Sequence, residues 1–465
     1  MKILLENISL LYDVQCVCLL FFPRVSFSED DGKYLTAKAD EAGIFVSFTQ
    51  NGKIETGFYP FVKEYDYFRT AVKLSVYDIL CKVTKKKSPW GIITGIRPAT
   101  LLDKLRKENG DDAGRIFAER YRVSPEKISL CEEVLEGRRR AIEENGKDNA
   151  SIYISIPFCP SRCKYCSFVS SSTEKEKHLL PDYISFLCDE IREKPDMIIA
   201  DGKIPSTLYV GGGTPSVLDG RLLKKLLISV EENFLSRFPI KEFTFEAGRA
   251  DTVSEEKLKI LEAYGTTRIS VNPQTLNDDV LLAIGRKHTS ADFFRAYDIA
   301  RKFSFIINTD IIAGLPSDYP ESFYKTAEDI FSLSPDNITV HTLYLKRSAD
   351  FGAAEEVLSV KEAAEKSGVE KMLSYLDGRR REERYFPYYL YKQKNTVENM
   401  ENVGYSKYGR ECFYNIYMMD DIHDIYGIGA GAVSKRIDPE TGRAFRKSNT
   451  KFAYNYIKER TVSES

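Results

Sequence analysis

The chain has 465 residues, more than one hydrophobic core usually serves, so we expect two or three domains. Its 67 basic and 69 acidic side chains give a net charge of -2, which leaves no basic footprint for nucleic acid and no charged stripe for a membrane surface. Glu6 and Asp13 interrupt the apolar start, which argues against a signal peptide and a membrane-spanning segment.

Cysteine usage points to a metal site in a reducing compartment. The nine cysteines are an odd number, and three of them lie within eight residues, at Cys159, Cys163 and Cys166. A disulfide framework is not expected from this distribution in a large chain without a secretory signal. We therefore expect a reduced, cytoplasmic, metal-binding protein.

The first 148 residues predict an N-terminal α+β domain with an antiparallel sheet followed by helices. Two strand-like runs, 43–50 and 53–58, flank Asn51-Gly52, the pair typical of a tight hairpin turn. The pattern from about 62 to 148 is helical, and Ser124 before Pro125 predicts a helix N-cap.

Residues 149–350 predict a parallel α/β domain, because short strand-like runs alternate with helical patterns. The predicted strands lie near 152–157, 206–210, 243–246, 268–271, 305–312 and 337–343. Six such units favour a partial parallel (β/α)6 barrel over an open sheet. Residues 351–465 predict a small C-terminal α/β extension that closes the site, with a frayed last fifteen residues and a solvated charge run at 379–384.

Unusual residues fall where the predicted strands end. In order they are the three cysteines, Gly211 to Pro215, Glu246, Asn272 to Gln274, and Asp310 with Gly314 to Pro316. The carboxyl ends of barrel strands form the active site in such folds, so these residues are expected on one rim.

Three closely spaced thiols are compatible with zinc or with an iron–sulfur cluster. Structural zinc takes four ligands, and the other six cysteines are scattered without a second Cys-x2-Cys pair. A [4Fe-4S] cube held by three cysteines would leave one iron open. Other interpretations remain: inert thiols, a phosphate-binding turn at Gly211 to Gly213, ordinary acids at Glu246 and Asp310, and a surface arginine at Arg286.

The motifs resemble those of the radical S-adenosylmethionine (SAM) superfamily. The resemblance rests on Cys-x3-Cys-x2-Cys after a strand, an aromatic residue before the last cysteine, and Gly-Gly-Gly-Thr-Pro after the next strand. More narrowly, residues 150–435 resemble the oxygen-independent coproporphyrinogen III oxidase family. Residues 94–98 and 401–406 add a resemblance to its HemZ-like subgroup.

The resemblance implies a radical SAM barrel with a [4Fe-4S] cluster and SAM, either one molecule or two as in the oxidase type. Cluster ligation is implied for Cys159, Cys163 and Cys166. SAM contacts are implied for Tyr153, Tyr165, Gly212, Gly213, Thr214, Glu246, Gln274, Arg286 and Asp310. No catalytic residue is assigned beyond the cluster and SAM, whose 5′-deoxyadenosyl radical takes a hydrogen atom from substrate.

The resemblance also implies a role in porphyrin and haem biosynthesis, as an oxidoreductase that converts coproporphyrinogen III propionates to vinyl groups with a reductant such as flavodoxin or ferredoxin. Arg97, Lys346 and Arg347 are candidates for holding propionates by charge alone. Ser167 and Phe168 after the last ligand depart from the oxidase type toward the haem-chaperone branch. A haem-binding chaperone and a haem-degrading radical SAM methyltransferase are therefore the alternatives.

Two features invite a haem-binding interpretation but have simpler ones. His288 and His341 could ligate haem iron, although a lone histidine is more often a structural residue. The aromatic-rich stretch 384–391 could line a porphyrin pocket, yet packing is favoured in a chain with 28 tyrosines.

Overall fold

The computed structural model describes residues 1–22, 25–28, 30–61, 68–95, 97–166, 171–344, 368–393 and 396–464. The chain forms two compact units. The first unit comprises Met1–Leu135 with Leu390–Glu401, and the second comprises Glu136–Tyr389 with Asn402–Ser465. The division into three domains at residues 148 and 350 stays a prediction.

Helices and strands alternate through most of the described chain. The helices are α1 (Leu11–Phe21), α2 (Phe68–Thr84), α3 (Pro98–Asn109), α4 (Ala113–Tyr121), α5 (Pro125–Gly137), α6 (Arg139–Glu143), α7 (Thr173–Glu176), α8 (Leu180–Ala200), α9 (Gly220–Val230), α10 (Glu255–Ala263), α11 (Asp278–Ala283), α12 (Ser290–Ala300), α13 (Pro320–Leu333), α14 (Val369–Glu382), α15 (Phe413–Met419) and α16 (Ala453–Glu464). The strands are β1 (Lys2–Glu6), β2 (Lys33–Ala39), β3 (Gly43–Gln50), β4 (Lys53–Pro60), β5 (Asn149–Ile156), β6 (Phe158–Cys159), β7 (Ser171–Ser172), β8 (Ile204–Gly212), β9 (Glu242–Glu246), β10 (Arg268–Ser270), β11 (Ile306–Ala313), β12 (Asn337–Thr342), β13 (Phe386–Lys392), β14 (Glu401–Ser406), β15 (Asp424–Ile428), β16 (Val433–Ile437) and β17 (Ala444–Ser448).

The first unit contains a four-stranded sheet in the order β1-β2-β3-β4. The predicted hairpin is confirmed, because Asn51 and Gly52 both have positive φ angles, of 52° and 74°, between the antiparallel strands β3 and β4. The prediction of an antiparallel sheet followed by helices is wrong at the sheet edge: β1 pairs parallel to β2, and α1 lies between them in the chain. A parallel pair needs a long crossover connection, which the helix supplies.

The larger sheet has eleven strands in the order β13-β14-β12-β11-β10-β9-β8-β5-β15-β16-β17. The six predicted strands are confirmed as β5 and β8 to β12, which pair parallel to one another in chain order. The strand β15 extends this parallel set beyond β5, whereas β14 pairs antiparallel to β12. The fold is thus a parallel α/β sheet of the predicted class, with antiparallel strands toward its edges.

Side-chain caps start the helices that follow the parallel strands. Asp219, Ser254, Asn277 and Thr289 each accept a hydrogen bond from a backbone amide in the first turn of α9, α10, α11 and α12, respectively. Such caps satisfy amide groups that a helix leaves unpaired at its start. The helices that follow β8, β9 and β10 therefore begin at defined residues.

Two expectations for the C-terminal part are corrected. Arg380 in the charge run is buried rather than solvated, because its guanidinium donates to Asp377 and to the carbonyl of Tyr385. The last fifteen residues are not frayed, since they contain α16. Its Tyr456 is buried, and the hydroxyl donates to Glu190 at 2.7 Å. The aromatic stretch, by contrast, is largely packed, as expected.

A buried polar cluster lies at the amino-terminal ends of the central strands. The guanidinium of Arg268, at the start of β10, donates to the carbonyls of Arg410 at 2.9 Å and Glu411 at 2.8 Å. It also contacts the side chains of Glu242 and Asn337, at the starts of β9 and β12. A buried charge of this kind needs its partners, because water cannot replace them.

The carboxylate of Glu242 fixes the start of α15. It accepts the backbone amides of Phe413 at 3.0 Å and Tyr414 at 2.9 Å. The ring of Tyr414 stacks on Tyr209 with a centroid distance of 4.6 Å, and on Tyr153 at 6.3 Å. The buried ion pair of Arg268 and Glu242 therefore fixes the helix whose Tyr414 stacks on Tyr153, a predicted SAM residue.

In the parts of the chain that the structure describes, no helix is both long enough and apolar enough to cross a bilayer.

Candidate functional site

The three clustered cysteines follow β5 directly, as predicted. Cys159 ends the short strand β6, which pairs parallel to β7. Cys163 is buried, whereas Cys159 and Cys166 are half-buried, and none of the nine cysteines forms a disulfide. The hydroxyl of Thr214 donates to the sulfur of Cys159 at 3.5 Å. Ser167 and Phe168 lie outside the described residues.

The glycine-rich turn after β8 lies against the cysteine loop. The amide of Gly213 donates to the carbonyl of Ile156 at 2.9 Å, and that of Thr214 donates to the carbonyl of Phe158 at 2.7 Å. A Cβ atom on Gly213 would lie 2.5 Å from the same Phe158 carbonyl oxygen, so a side chain does not fit there. Because these two amides are already bonded, the turn does not offer the amide cradle of a phosphate-binding loop.

Glu246, at the end of β9, is a half-buried carboxyl with an unusual pKa. The hydroxyl of Tyr209 donates to its Oε1 at 2.5 Å. Burial is the main cause that raises the pKa of Glu246 to about 7. The ring of Tyr153 stacks on Tyr209 with centroids 6.0 Å apart. The stacked rings of Tyr153 and Tyr209 and the carboxyl of Glu246 therefore lie together in this corner of the site. Because the pKa of Glu246 is about 7, its protonated and ionised forms are both populated near neutral pH.

Asp310 lies within β11 and is held by two amides. Asn272 Nδ2 donates to one oxygen at 2.8 Å, and Asn308 Nδ2 donates to the other at 2.7 Å. His341 lies on the neighbouring strand, with its Nε2 3.8 Å from Asp310. The carboxylate is thus oriented by its neighbours while it keeps lone pairs for further donors.

Gln274 combines backbone strain with an unfilled acceptor. Its φ angle is 69°, a value that non-glycine residues adopt rarely and that is typical of functional sites. Its amide donates to the carbonyl of Asp310 at 3.0 Å, which holds it in this conformation. Although the residue is buried, its Oε1 accepts no hydrogen bond from any part of the chain that the structure describes. A ligand donor would satisfy this oxygen.

Arg286 is buried and therefore is not a surface arginine. Its Nη1 donates to the carbonyl of Asn272 at 2.7 Å, and its guanidinium lies close enough to Tyr165 and Cys163 to interact with them electrostatically. Its Nε has no hydrogen-bond partner among the described residues. A guanidinium in this position can pair an anionic ligand such as a carboxylate.

The buried position of His288 argues against a haem ligand. Its side chain is fully buried, and neither ring nitrogen has a hydrogen-bond partner within the described ranges. Burial, followed by the nearby charges of Arg286 and Arg249, lowers the pKa of His288 to about 4, which keeps the ring neutral. His341 is partly exposed beside Asp310 and belongs to the rim instead.

The donor set fits a cluster with an organic ligand beside it. In the part of the chain that the structure describes, no three His, Cys, Asp or Glu side chains converge on a single ion position. Cluster thiolates bind separate iron atoms, so such convergence is not required of them. The buried side chains of Arg249 and Arg286 lie near Cys163. Oε1 of Gln274 and Nε of Arg286 have no hydrogen-bond partner among the described residues, so a polar ligand could bind both atoms.

Sequence reasoning missed three residues of this site. Arg249 contacts Cys163 and lies three positions after Glu246, so its place directly beyond a predicted strand was a usable signal. Tyr209 lies within the predicted strand 206–210 and gave no separate signal. Tyr414 comes from α15, distant in the sequence, and only the fold brings it to the stack.

A model of the radical SAM superfamily matches residues 153–330. The chain is 36% identical to the oxygen-independent coproporphyrinogen-III oxidase-like protein HemZ of Bacillus subtilis over 391 residues. The aligned region covers 83% of this chain and 77% of HemZ. The chain belongs to the HemZ-like oxygen-independent coproporphyrinogen III oxidase family of radical SAM proteins.

Other relatives of this HemZ-like protein differ in their named activity. The haem chaperone HemW of Escherichia coli is 28% identical over 322 residues, covering 67% of this chain and 76% of HemW. In structure, the chain is similar to the coproporphyrinogen III oxidase HemN of Escherichia coli, with a TM-score of 0.50 and 22% identity, covering 70% of this chain and 72% of HemN. As a radical SAM protein it carries a [4Fe-4S] cluster and SAM.

In this HemZ-like protein, we expect Glu246→Gln to change how stability depends on pH. The pKa of Glu246 is about 7 in the folded chain against an ordinary 4.5, so folding favours the neutral carboxyl. The contribution of this neutral carboxyl to the free energy of unfolding is fully present below about pH 4.5 and is lost as the pH rises through 7. The shift of the pKa from 4.5 to about 7 limits this contribution to roughly 3 kcal/mol. Glutamine does not titrate, so the melting temperature of the variant minus that of the wild type should increase from about pH 5 to about pH 8.5.

The measurement is thermal unfolding of the cluster-free protein across that pH range. Glu440→Gln, in an exposed turn, is the matched control and should leave the difference flat. A flat difference for Glu246→Gln as well would contradict the assignment of a raised pKa to this carboxyl.

Proposed function

We propose that this protein is a radical SAM enzyme whose cluster is held by Cys159, Cys163 and Cys166, with the fourth iron open to SAM. The observation that carries the proposal is that loops after neighbouring parallel strands contact the cysteine loop. Thr214, after β8, donates to the sulfur of Cys159, and Arg249, after β9, lies 3.9 Å from the sulfur of Cys163. Glu246, Gln274 and Asp310 lie at or near the carboxyl ends of β9, β10 and β11, on the same edge of the sheet. A set of anionic, cationic and aromatic groups of this kind suits an amino acid joined to a nucleoside.

Each SAM residue has a distinct task in this proposal. Arg286 pairs the SAM carboxylate, and the orphaned Oε1 of Gln274 accepts from an amino or hydroxyl group. Asp310, oriented by two amides, accepts ribose hydroxyls. Glu246 accepts a donor when it is ionised, and Tyr165 offers a face for the adenine. Tyr153, Gly212, Gly213 and Thr214 complete the set, with the glycines allowing close approach of the backbone.

The substrate that we propose is coproporphyrinogen III. Its support is the likeness to HemZ across 83% of the chain, well beyond the residues that the superfamily model matches. SAM held by Arg286, Gln274 and Asp310 at a reduced cluster would supply a 5′-deoxyadenosyl radical for hydrogen-atom abstraction. Loss of a hydrogen atom from the β-carbon of a propionate, release of carbon dioxide and transfer of one electron to an external acceptor would leave a vinyl group. Arg97, in the first unit, stays a prediction made from its charge alone, and Lys346 and Arg347 lie outside the described residues.

The proposal also names a setting. Nine cysteines without a disulfide support a reducing, cytoplasmic environment, where a flavodoxin or ferredoxin would supply the electron. The proposed place of the enzyme is in porphyrin and haem biosynthesis.

A haem chaperone is the second candidate. It is favoured by the likeness to HemW over 67% of the chain and by Ser167 and Phe168 after the last cysteine, where the oxidase type has a further cysteine. In that case the chain would bind haem and turn over little SAM.

The deciding experiment is anaerobic reconstitution with iron and sulfide, followed by dithionite, SAM and coproporphyrinogen III, with chromatography of the products. The proposal expects 5′-deoxyadenosine together with protoporphyrinogen, and neither product when SAM is omitted. 5′-Deoxyadenosine without a vinyl product would reject the substrate but keep the radical chemistry. Haem binding without conversion would select the chaperone, and a linear tetrapyrrole from haem would select the methyltransferase.

A further inference from the structure

A second arginine lies against the cysteine loop and has no part in the SAM contacts assigned above. Arg249 follows β9 and is 2% exposed. Its Nη1 lies 3.9 Å from the sulfur of Cys163 and 3.4 Å from the hydroxyl of Ser161. The guanidinium of Arg249 therefore contacts the loop that runs from Cys159 to Cys163.

The remaining edge of this guanidinium is fixed by Asp251. Nε donates to one carboxylate oxygen at 3.1 Å, and Nη2 donates to the other at 3.2 Å. All three nitrogens of Arg249 are therefore engaged within the chain, which leaves no open edge for a ligand carboxylate. Arg286, by contrast, has an unpartnered Nε among the described residues. The two arginines beside Cys163 thus have different tasks.

The backbone beneath Arg249 is anchored as well. Thr252 Oγ1 donates to the carbonyl of Arg249 at 2.7 Å. The half-buried amine of Lys257 donates to the carbonyl of Thr252 at 3.0 Å and to that of Ser216 at 2.7 Å. Because Ser216 lies in the turn after β8, Lys257 ties the loops of two neighbouring strands together. Arg249 is thereby presented to Cys163 from a rigid support.

We propose that Arg249 is a positioning residue that holds the Cys163 ligand loop and raises the reduction potential of the cluster. A hydrogen bond to a ligand sulfur and a nearby positive charge both stabilise the reduced, more negative cluster. Because Asp251 holds the guanidinium in place, the positive charge of Arg249 stays at a constant distance from the sulfur of Cys163. The inference rests on the proposed function, because it takes Cys163 as a cluster ligand.

The test is the midpoint potential of the reconstituted full chain, measured by titration with dithionite and followed by electron paramagnetic resonance without SAM. Arg249→Gln should shift the midpoint to a more negative value at unchanged iron and sulfide content. Arg249→Lys keeps the charge but loses the fork, and should give an intermediate value. Arg301→Gln, which removes an exposed arginine, is the matched control and should leave the midpoint unchanged.

A second readout separates the two arginines. The affinity for SAM should fall in Arg286→Gln and stay at the wild-type value in Arg249→Gln. If Arg249→Gln takes up too little iron for titration, Asp251→Asn, which keeps the guanidinium and loosens its support, is measured in the same way and should also shift the midpoint downward.

The failures are distinguishable. An unchanged midpoint in variants that hold a full cluster would overturn the role of Arg249 and leave the proposed function standing. A wild-type protein that forms no cluster through its three cysteines would instead overturn the proposed function.

Discussion

Replacing Cys163 with alanine should reduce 5′-deoxyadenosine formation to background and remove the brown absorbance of the cluster. Cys163 is the buried member of the three thiols, and two guanidinium groups lie against it. Two cysteines do not retain a cube that three hold, because a further iron loses its protein ligand. The measurements are iron and sulfide content, the visible spectrum and 5′-deoxyadenosine yield after anaerobic reconstitution.

Cys188→Ala is the matched control for this loss. Cys188 is also buried and in the second unit, but it lies in α8 and its thiol donates to the carbonyl of Lys225. This variant should hold the wild-type amount of iron and cleave SAM at the wild-type rate. A full cluster in Cys163→Ala, or its loss in Cys188→Ala, would contradict the assigned ligand set.

Arg268→Met should destabilise the protein by about 3–5 kcal/mol. The substitution keeps much of the side-chain volume but leaves the carboxylate of Glu242 buried without its cationic partner. It also leaves the carbonyls of Arg410 and Glu411 without their donor. The expected result is a lower denaturation midpoint of the cluster-free protein in urea, compared with the wild type.

Two further variants show whether the pairing is the cause. Arg295→Met removes an arginine from an exposed ion pair with Asp292, and should change stability by well under about 1 kcal/mol. Adding Glu242→Gln to Arg268→Met removes the stranded charge, so the double variant should be more stable than the sum of the two single losses predicts. Simple additivity would show that the two buried groups do not depend on each other.

The sequence was sufficient to predict the parallel strands and the rim of the site. Periodic apolar runs marked each strand, and in a parallel sheet of consecutive strands all the carboxyl ends lie on one side. Cys159, Glu246, Gln274 and Asp310 could therefore be grouped without coordinates. Their side chains differ in chemistry, but the alternation of strand and helix places all four at the same edge of the sheet.

Features that depend on distant partners were not predictable. The parallel pairing of β1 with β2 depends on the crossover through α1 and has no signal in the strand patterns themselves. Arg380 has the sequence context of a solvated helix face, and its contacts with Asp377 and with the carbonyl of Tyr385 appear only in the structure. Tyr414 likewise joins the aromatic stack because Glu242, on a strand far away in the chain, fixes its helix.

The position of β15 limits how the molecule can be shortened. This late strand pairs parallel with β5, with Asp424 opposite Ala150, and β5 leads straight into the cysteine loop. During synthesis β5 is made long before β15. In a chain that ends before β15, the backbone groups on that side of β5 have no partner strand. Such edges recruit other strands and promote aggregation. The parallel sheet therefore cannot be isolated by removing the C-terminal strands without exposing the edge of the strand that leads into the cysteine loop.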